Sequence, residues 1–304
     1  DSGLTCTSLH TYRIEAVADS TVALVSSSNT ATERALDTRS PATPVLVSAS
    51  VDQPNETVEL LWQPSPAADV AAYQIWQKPI GISDPTVVAT LPGSARDFVV
   101  RLPGITQRWC FLVTAQDSCG NNSPLSNPGC IIMPEVAAAD GQNLLQWQDY
   151  EQWPATGHFE IYRSADSASW QFVTSTPNLS FTDSDLPEDL PAFCYQVIAH
   201  RSDSFARSHS IVVCTRQAPK LWIPNAFSPG QADGINDSFG PAGAWIKSYS
   251  MRIFNRWGEL VYTTETSQPW NGANAPAGVY LYRITVNGFD GEVLREVGTV
   301  TVVE

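Results

Sequence analysis

Two cysteine pairs with identical spacing constrain this chain more than any other feature. Cys110 and Cys130 lie 20 positions apart, and so do Cys194 and Cys214. Each pair brackets a turn, centred on Gly120-Asn121 in the first case and Ser204 in the second. In an antiparallel hairpin, residues equidistant from the turn stand opposite each other, with Cβ atoms about 4.5–5.5 Å apart. A disulfide wants slightly less, about 3.5–4.5 Å, so both pairs are expected as cross-strand disulfides. A tryptophan precedes each pair at nearly constant distance: Trp62 to Cys110 is 48 positions and Trp147 to Cys194 is 47. Internal periodicity of this kind means tandem modules.

The modules are expected to be all-β. No window sustains a 3.6-residue apolar period. Instead, 22 prolines, 18 glycines and ten tryptophans punctuate many short alternating segments. At 304 residues the chain suits two to four domains of about 100 residues. Residues 39–133 read as one complete antiparallel sandwich, with TVELLWQPS, AAYQIWQK, TVVATL and RDFVVRL followed by a long hairpin over Arg108–Met133. Residues 134–217 repeat that plan: NLLQWQDY answers VELLWQPS and HFEIYRSA answers AAYQIWQK. Residues 1–38 hold one hairpin, Thr11–Ala18 with Val22–Thr32, expected to be the C-terminal part of a third copy. Strand spacing, the Trp on the second strand and the closing hairpin resemble fibronectin type III modules. Cys6 and Cys119 fall on loops that face each other in a head-to-tail string of such modules, so a third disulfide is expected to stitch residues 1–38 to the next module.

Composition bounds the partners. Seventeen Lys and Arg against 31 Asp and Glu give a net charge of −14, which repels phosphate backbones and anionic membrane surfaces, so no nucleic-acid partner is expected. No run approaches the roughly 18 apolar residues of a membrane span, and membrane association is expected only through protein partners. An even number of cysteines, none in a CxxC, suits an oxidising compartment. The chain starts at Asp1-Ser2-Gly3 with no basic, apolar leader, so a secreted form is expected to be processed or part of something longer.

Residues 218–304 are of another kind. LWIPNAFSPGQADGINDSF (Leu221–Phe239) passes from an apolar run into turn formers, and so is a loop of specified geometry. MRIFNRWGELVYTT, PWNG, AGVYLYRITV and an apolar closing strand, GTVTVV, follow. Five separated motifs in this order resemble the gliding-motility-associated C-terminal domain, the type B sorting signal of Bacteroidetes cargo of the type IX secretion system. Two departures stand out. The loop at Ser228–Gly234 is one residue longer than the usual SPNGDG, and Trp270-Asn271-Gly272 replaces the usual WDG.

The resemblance implies a β-sandwich sorting domain, read by export machinery in the outer membrane and by a PorP/SprF-type outer-membrane partner, on a secreted cell-surface protein whose upstream modules are spacers. Partner contacts are expected in the Ile223–Phe239 loop (Ile223, Pro224, Asn225, Phe227, Asp233, Asn236, Asp237) and in the turn Asn255, Arg256, Trp257, Gly258 and Glu259. Trp270, Gly278, Tyr280 and the strand Val297–Val303 complete the set. Arg256 offers a planar donor fork and Trp257 a large apolar anchor, the residue types that dominate interface energetics. The alternative reading of the turn is a tight hairpin with Trp257 packed inside. The terminal strand is also a free edge that a partner's sheet can extend.

Catalysis is not expected. There is no GxSxG, HExxH or phosphate-binding Gly-rich loop, and His10, His158, His200 and His209 are scattered with no third ligand in view. The only cofactor for which the sequence leaves room is calcium, at Asp233, Asn236 and Asp237; the competing reading is an Asx-rich turn bonded to its own backbone. Trp76, Trp170 and Trp270 are conceivable sugar platforms, with packing as the alternative. Asp19-Ser20-Thr21 and Asp166-Ser167-Ala168 resemble the short Bacteroidetes O-glycosylation pattern. Two rival functions remain open at this level: an adhesin or polysaccharide-binding surface module, and the stalk of an upstream carbohydrate-active enzyme.

Overall fold

A computed structural model describes residues 6, 8–18, 24–34, 37–150, 153, 156–203, 205–229 and 236–303. Strands account for all regular structure, and no helix occurs among the described residues. Two compact units form. The first comprises Asp1–Ile131, Tyr150–Ala155 and Asp203–His209; the second comprises Ile132–Asp149, Thr156–Ser202 and Ser210–Glu304.

The first unit is built on a sandwich. Val45–Asp52, Thr57–Gln63 and Asp97–Arg101 form a three-stranded sheet, and Gly129–Cys130, Trp109–Asp117, Val70–Pro79 and Thr86–Pro92 form a four-stranded one, in that order. Alternation explains the layering. In Thr57–Gln63 the side chains of Val58, Leu60 and Trp62 are buried while Glu59, Leu61 and Gln63 are exposed, as a period of two requires when one face is covered. Trp62 meets Tyr73 edge-on, ring centroids 5.6 Å apart. A bulge between Leu46 and Ser48 bends the first strand, and two remote segments settle on it. Ala49 N donates to the Tyr150 hydroxyl (2.6 Å) and Trp153 Nε1 to Val47 O (2.7 Å), while Ser208 Oγ donates to Ala49 O (2.8 Å).

The hairpin over Arg108–Met133 differs from expectation. Its returning arm is regular strand only at Gly129–Cys130. Pro124 and Pro128 have no N–H to give a ladder, and serines fill in. Ser123 and Ser126 each donate their backbone N–H to Ala115 O and Val113 O, and accept from Ala115 N and Val113 N through their hydroxyls. The N-terminal hairpin is also interrupted. Leu9–Tyr12 pairs with Ala31–Arg34 and Glu15–Val17 with Val25–Ser27, and between them Ile14 bonds Ser28. Cys6 and Cys119 are disulfide-bonded, Cα atoms 5.3 Å apart.

In the second unit the plan recurs. Glu135–Ala139, Gln142–Gln146 and Ser180–Asp183 form a three-stranded sheet; Gln171–Thr176, Thr156–Ser164 and Phe193–Arg201 follow one another in the larger sheet, and Val213–Thr215 pairs with the last of these. Trp147 repeats the edge-on contact with Phe159, again at 5.6 Å. Cys110 faces Cys130 and Cys194 faces Cys214 in register, and both pairs are disulfides, with Cα–Cα distances of 3.9 and 4.0 Å. Both sandwiches share one plan.

A buried polar chain runs through the second sandwich: Gln217 donates to Asn143, Asn143 to the Tyr195 hydroxyl, and Tyr195 to Asp183, which also receives Arg163 Nη1 at 2.8 Å. Burial, together with the bonded Asp183 carboxylate, pushes the Tyr195 hydroxyl well above its ordinary value.

The C-terminal sheet belongs to this same unit. It has five strands, ordered Ala226–Phe227, Val293–Val302, Gly278–Gly288, Ile246–Phe254, Leu260–Thr264; the first pair is parallel and the rest antiparallel. One face carries Met251, Ile253, Tyr280, Ile284, Val286, Val300 and Val302, over which Phe227, Phe239 and Trp270 close the core. A ribbon of Lys220–Trp222 with Ala242–Ala244 anchors the domain upstream: Lys220 Nζ donates to Asp140 O (2.9 Å) and Trp245 Nε1 to Pro187 O (3.1 Å).

Candidate functional site

The turn at Asn255–Glu259 is dictated by its residues. Asn255 N donates to Glu259 O (2.9 Å), Gly258 N to Asn255 O (3.0 Å), and Gly258 sits at φ 83°. A type I turn followed by a left-handed glycine is the three-residue hairpin loop that suits Asn at its start and Gly at its end. The Asn255 side chain completes it, its Oδ1 accepting from Trp257 N and Glu259 N (both 3.0 Å) and its Nδ2 donating to the Glu259 carboxylate (2.7 Å). Arg256 and Trp257 thereby occupy the two central, outward positions. Trp257 is 71% exposed, and the Arg256 guanidinium stacks on its ring at 4.1 Å. The reading in which Trp257 packs inside the domain is thus overturned.

Beside this turn lies a groove of about 450 Å³, lined by Asn255, Arg256, Trp257, Trp270, Gly278 and Tyr280 among others. Three sequence motifs far apart in the chain therefore meet at one surface. Sequence reasoning missed the rest of its wall, Val261, Val279 and the run Ala273–Ala277. The signal was there: small residues and a proline filling the gap between the PWNG and AGVY motifs. Asn271–Ala275 is a turn, with Ala275 N bonded to Gly272 O and Ala273 N to Asn271 Oδ1.

Three residues expected at the partner surface belong instead to the core. Phe227 is 1% exposed, Trp270 3% and Tyr280 7%. Trp270 packs against Phe227 (5.2 Å) and Tyr280 (5.1 Å), its backbone bridges Phe239 in both directions at 2.7 Å, and Tyr280 donates its hydroxyl to Pro276 O. Large aromatic area drives them inward; Trp270 and Tyr280 form the floor of the groove, and Phe227 packs behind Trp270. Trp270 is no sugar platform either. Trp76 is half-buried, its Nε1 bonded to Thr114, and Trp170 is half-buried as well.

The loop residues divide. Ile223 packs against the core, Pro224 is half-buried and Asn225 is exposed, its carbonyl accepting from Thr301 N. Asp233 lies outside the described residues, as does the rest of 230–235. Asn236 has φ 57° and its carbonyl accepts from Ser228 N, which closes the loop; Asp237 is half-buried. Asp19-Ser20-Thr21 is also outside the described residues, whereas Ser167 is exposed in a turn at φ 61°.

The terminal strand keeps most of its free edge and is covered on its outer side only at its end. It pairs along its length with Gly278–Gly288 and, at Thr301–Val302, with Ala226–Phe227. Its upstream part, residues 293–300, has no strand on the outer side among the described residues. On the sheet's solvent face Arg252 stands opposite Arg283 and Phe254 opposite Leu281, so cationic and apolar side chains alternate there, next to the groove. Burial pushes the hydroxyls of Tyr249 and Tyr282 upward, so neither carries charge near neutral pH.

Among solved structures, the chicken CNTN1 FN1–FN3 domains are 12% identical over 87% of this chain and 99% of that one, with a TM-score of 0.24. An Fn3-like protein from Clostridium thermocellum is 20% identical over 30% of this chain and 92% of that one, with a TM-score of 0.26. Pectate lyase PelI from Erwinia chrysanthemi is 22% identical over 32% and 31% of the two chains, also at 0.26. No curated protein matches the chain. Among the described residues no helix is long and apolar enough to cross a membrane. Residues 221–302 match the CHU_C Type IX secretion signal domain, and the C-terminal domain built around the groove is therefore a Type IX secretion signal, which engages the type IX machinery and directs this protein across the outer membrane to the cell surface.

Proposed function

We propose that the type IX machinery reads this signal through the groove and the Arg256–Trp257 turn beside it, and that a PorP/SprF-type outer-membrane protein is the partner seated there. The exposure of Trp257 carries the reading. A domain that buries Phe227, Phe239 and Trp270 leaves Trp257 outside, on a turn closed by four hydrogen bonds between its backbone N–H groups and Asn255 or Glu259. Such a residue is held ready at no ordering cost to itself, the condition under which an aromatic anchor contributes most to binding. The neighbouring Arg supplies directional donors for a carboxylate or carbonyl of the partner. Recognition, not catalysis, is the role of the domain, and the fibronectin III-like modules upstream serve as spacers.

The test is a reporter fused to residues 218–304 in a Bacteroidetes host with an intact type IX system. Trp257→Ala and Arg256→Ala are expected to leave the reporter in the periplasm, while Lys247→Ala, at an exposed position that does not line the groove, leaves export intact. Export of the Trp257→Ala and Arg256→Ala reporters at wild-type level would place recognition elsewhere on the domain.

A further inference from the structure

The sequence scatters its histidines, but the fold of the second fibronectin III-like sandwich brings two of them together. His158 and His200 are cross-strand partners in the antiparallel pair Thr156–Ser164 and Phe193–Arg201. Their rings lie nearly parallel, 4.6 Å apart with 6° between planes. Glu160 follows His158 by two residues on the same strand, hence on the same face, and reaches both. Its Oε2 lies 3.1 Å from His200 Nε2 and its Oε1 4.0 Å from His158 Nε2. One ligand atom from each of the three falls within 4.8 Å of the others.

We infer that His158, Glu160 and His200 form a binding site for a divalent first-row metal, with zinc the best fit. Two imidazoles and one carboxylate are a ligand set that zinc takes with one position left open, and imidazole selects zinc, copper or nickel over the hard cations. His200 Nε2 is buried and makes no hydrogen bond, although Glu160 Oε2 is 3.1 Å away. A nitrogen and an oxygen that close without bonding each other are placed as two ligands of one ion. The rings are stacked, so sharing one ion requires one of them to turn until both Nε2 lone pairs converge. Tyr162 donates its hydroxyl to Glu160 Oε2 (3.2 Å), the outer support that fixes a ligating carboxylate. The three residues are half-buried, open enough for an ion to enter. With the fourth position open to water or to a donor from outside the chain, the ion fastens the two central strands of the sheet to each other.

The full chain without an affinity tag, stripped with chelator, tests this by titration with Zn²⁺ and with Co²⁺. One ion per chain is expected, with a visible d–d band for Co²⁺ and a raised midpoint of thermal unfolding with Zn²⁺. His158→Ala and His200→Ala should each abolish the Co²⁺ band, Tyr162→Phe should weaken binding by about tenfold, and His10→Ala should change nothing. Absence of the band in the wild-type chain overturns the site without reference to any variant. Retention of the band in the His158→Ala/His200→Ala double variant overturns it equally.

Discussion

Two glycines of the secretion signal have the same backbone need and opposite surroundings, which allows steric packing to be separated from conformation. Gly258 has φ 83° and Gly272 φ 66°, both in the left-handed region, where a Cβ costs roughly 1–2 kcal/mol. A Cβ on Gly258 meets nothing within 4 Å. On Gly272 it would stand 2.8 Å from Pro229 Cγ and 2.9 Å from Phe227 Cε2. Phe227 is 1% exposed and held by the parallel pairing with Val302, so it has little room to retreat. Overpacking of this kind adds about 1–3 kcal/mol. Gly258→Ala is therefore expected to lose about 1–2 kcal/mol and Gly272→Ala about 2–5. Native-state hydrogen exchange in the strand Gly278–Gly288 of the full chain reads the difference as exchange about 5- to 150-fold faster in Gly272→Ala than in Gly258→Ala. Equal rates in the two variants would refute the claim that the Asn271–Ala275 turn is wedged against the Phe227–Pro229 loop. Gly272→Ala should also deform the groove floor at Trp270 and lower export, while Gly258→Ala tests the recognition turn with the floor intact.

Two further outcomes follow from the second sandwich. Asp183 is 2% exposed and receives both Arg163 and Tyr195, so Asp183→Ala leaves a nearly buried guanidinium without its counter-charge; denaturant unfolding should show a loss of about 3–5 kcal/mol, and a loss below about 1 kcal/mol would mean that the network is dispensable. Asp166 accepts from Ser169 N, Ala168 N and the Ser164 hydroxyl (each 2.9 Å), which holds its carboxyl down at about 2; because the folded value is depressed, its support of the Ser164–Ser169 turn is complete above the unfolded value and fades as pH falls from about 4 toward 2. A carbonyl-carbon NMR titration should place the Asp166 midpoint near 2, and a midpoint near 4 would refute the bonding.

Period-two alternation and the repeated Trp and Cys spacing were enough to read both sandwiches, since inward positions such as Val58, Leu60 and Trp62 are set by local pattern. The serines at 123 and 126 were not legible as strand partners. Nothing in a serine says that its hydroxyl will stand in for a ladder acceptor until the prolines beside it are seen to break the ladder. Motif residues of the secretion signal were found, but not their division into inside and outside. Trp257 and Trp270 both sit in short Gly-containing motifs, and only the turn geometry at one and the Phe239 bridge at the other send them opposite ways. His158 and His200 illustrate the remaining limit: their meeting depends on strand register across a long separation, which no local signal encodes.

The two in-register disulfides also determine how each sandwich transmits tension. A pull applied beyond Thr215 enters the sheet at Cys214 and passes at once through sulfur to Cys194, bypassing the chain between them, a sequence separation of 20. Fully extended, that stretch would release about 70 Å of chain; tethered at both ends, it releases none. The same shunt exists between Cys130 and Cys110. Under drag at the cell surface, each sandwich thus keeps its last hairpin out of the load path, and its extensibility is that of the shorter remainder.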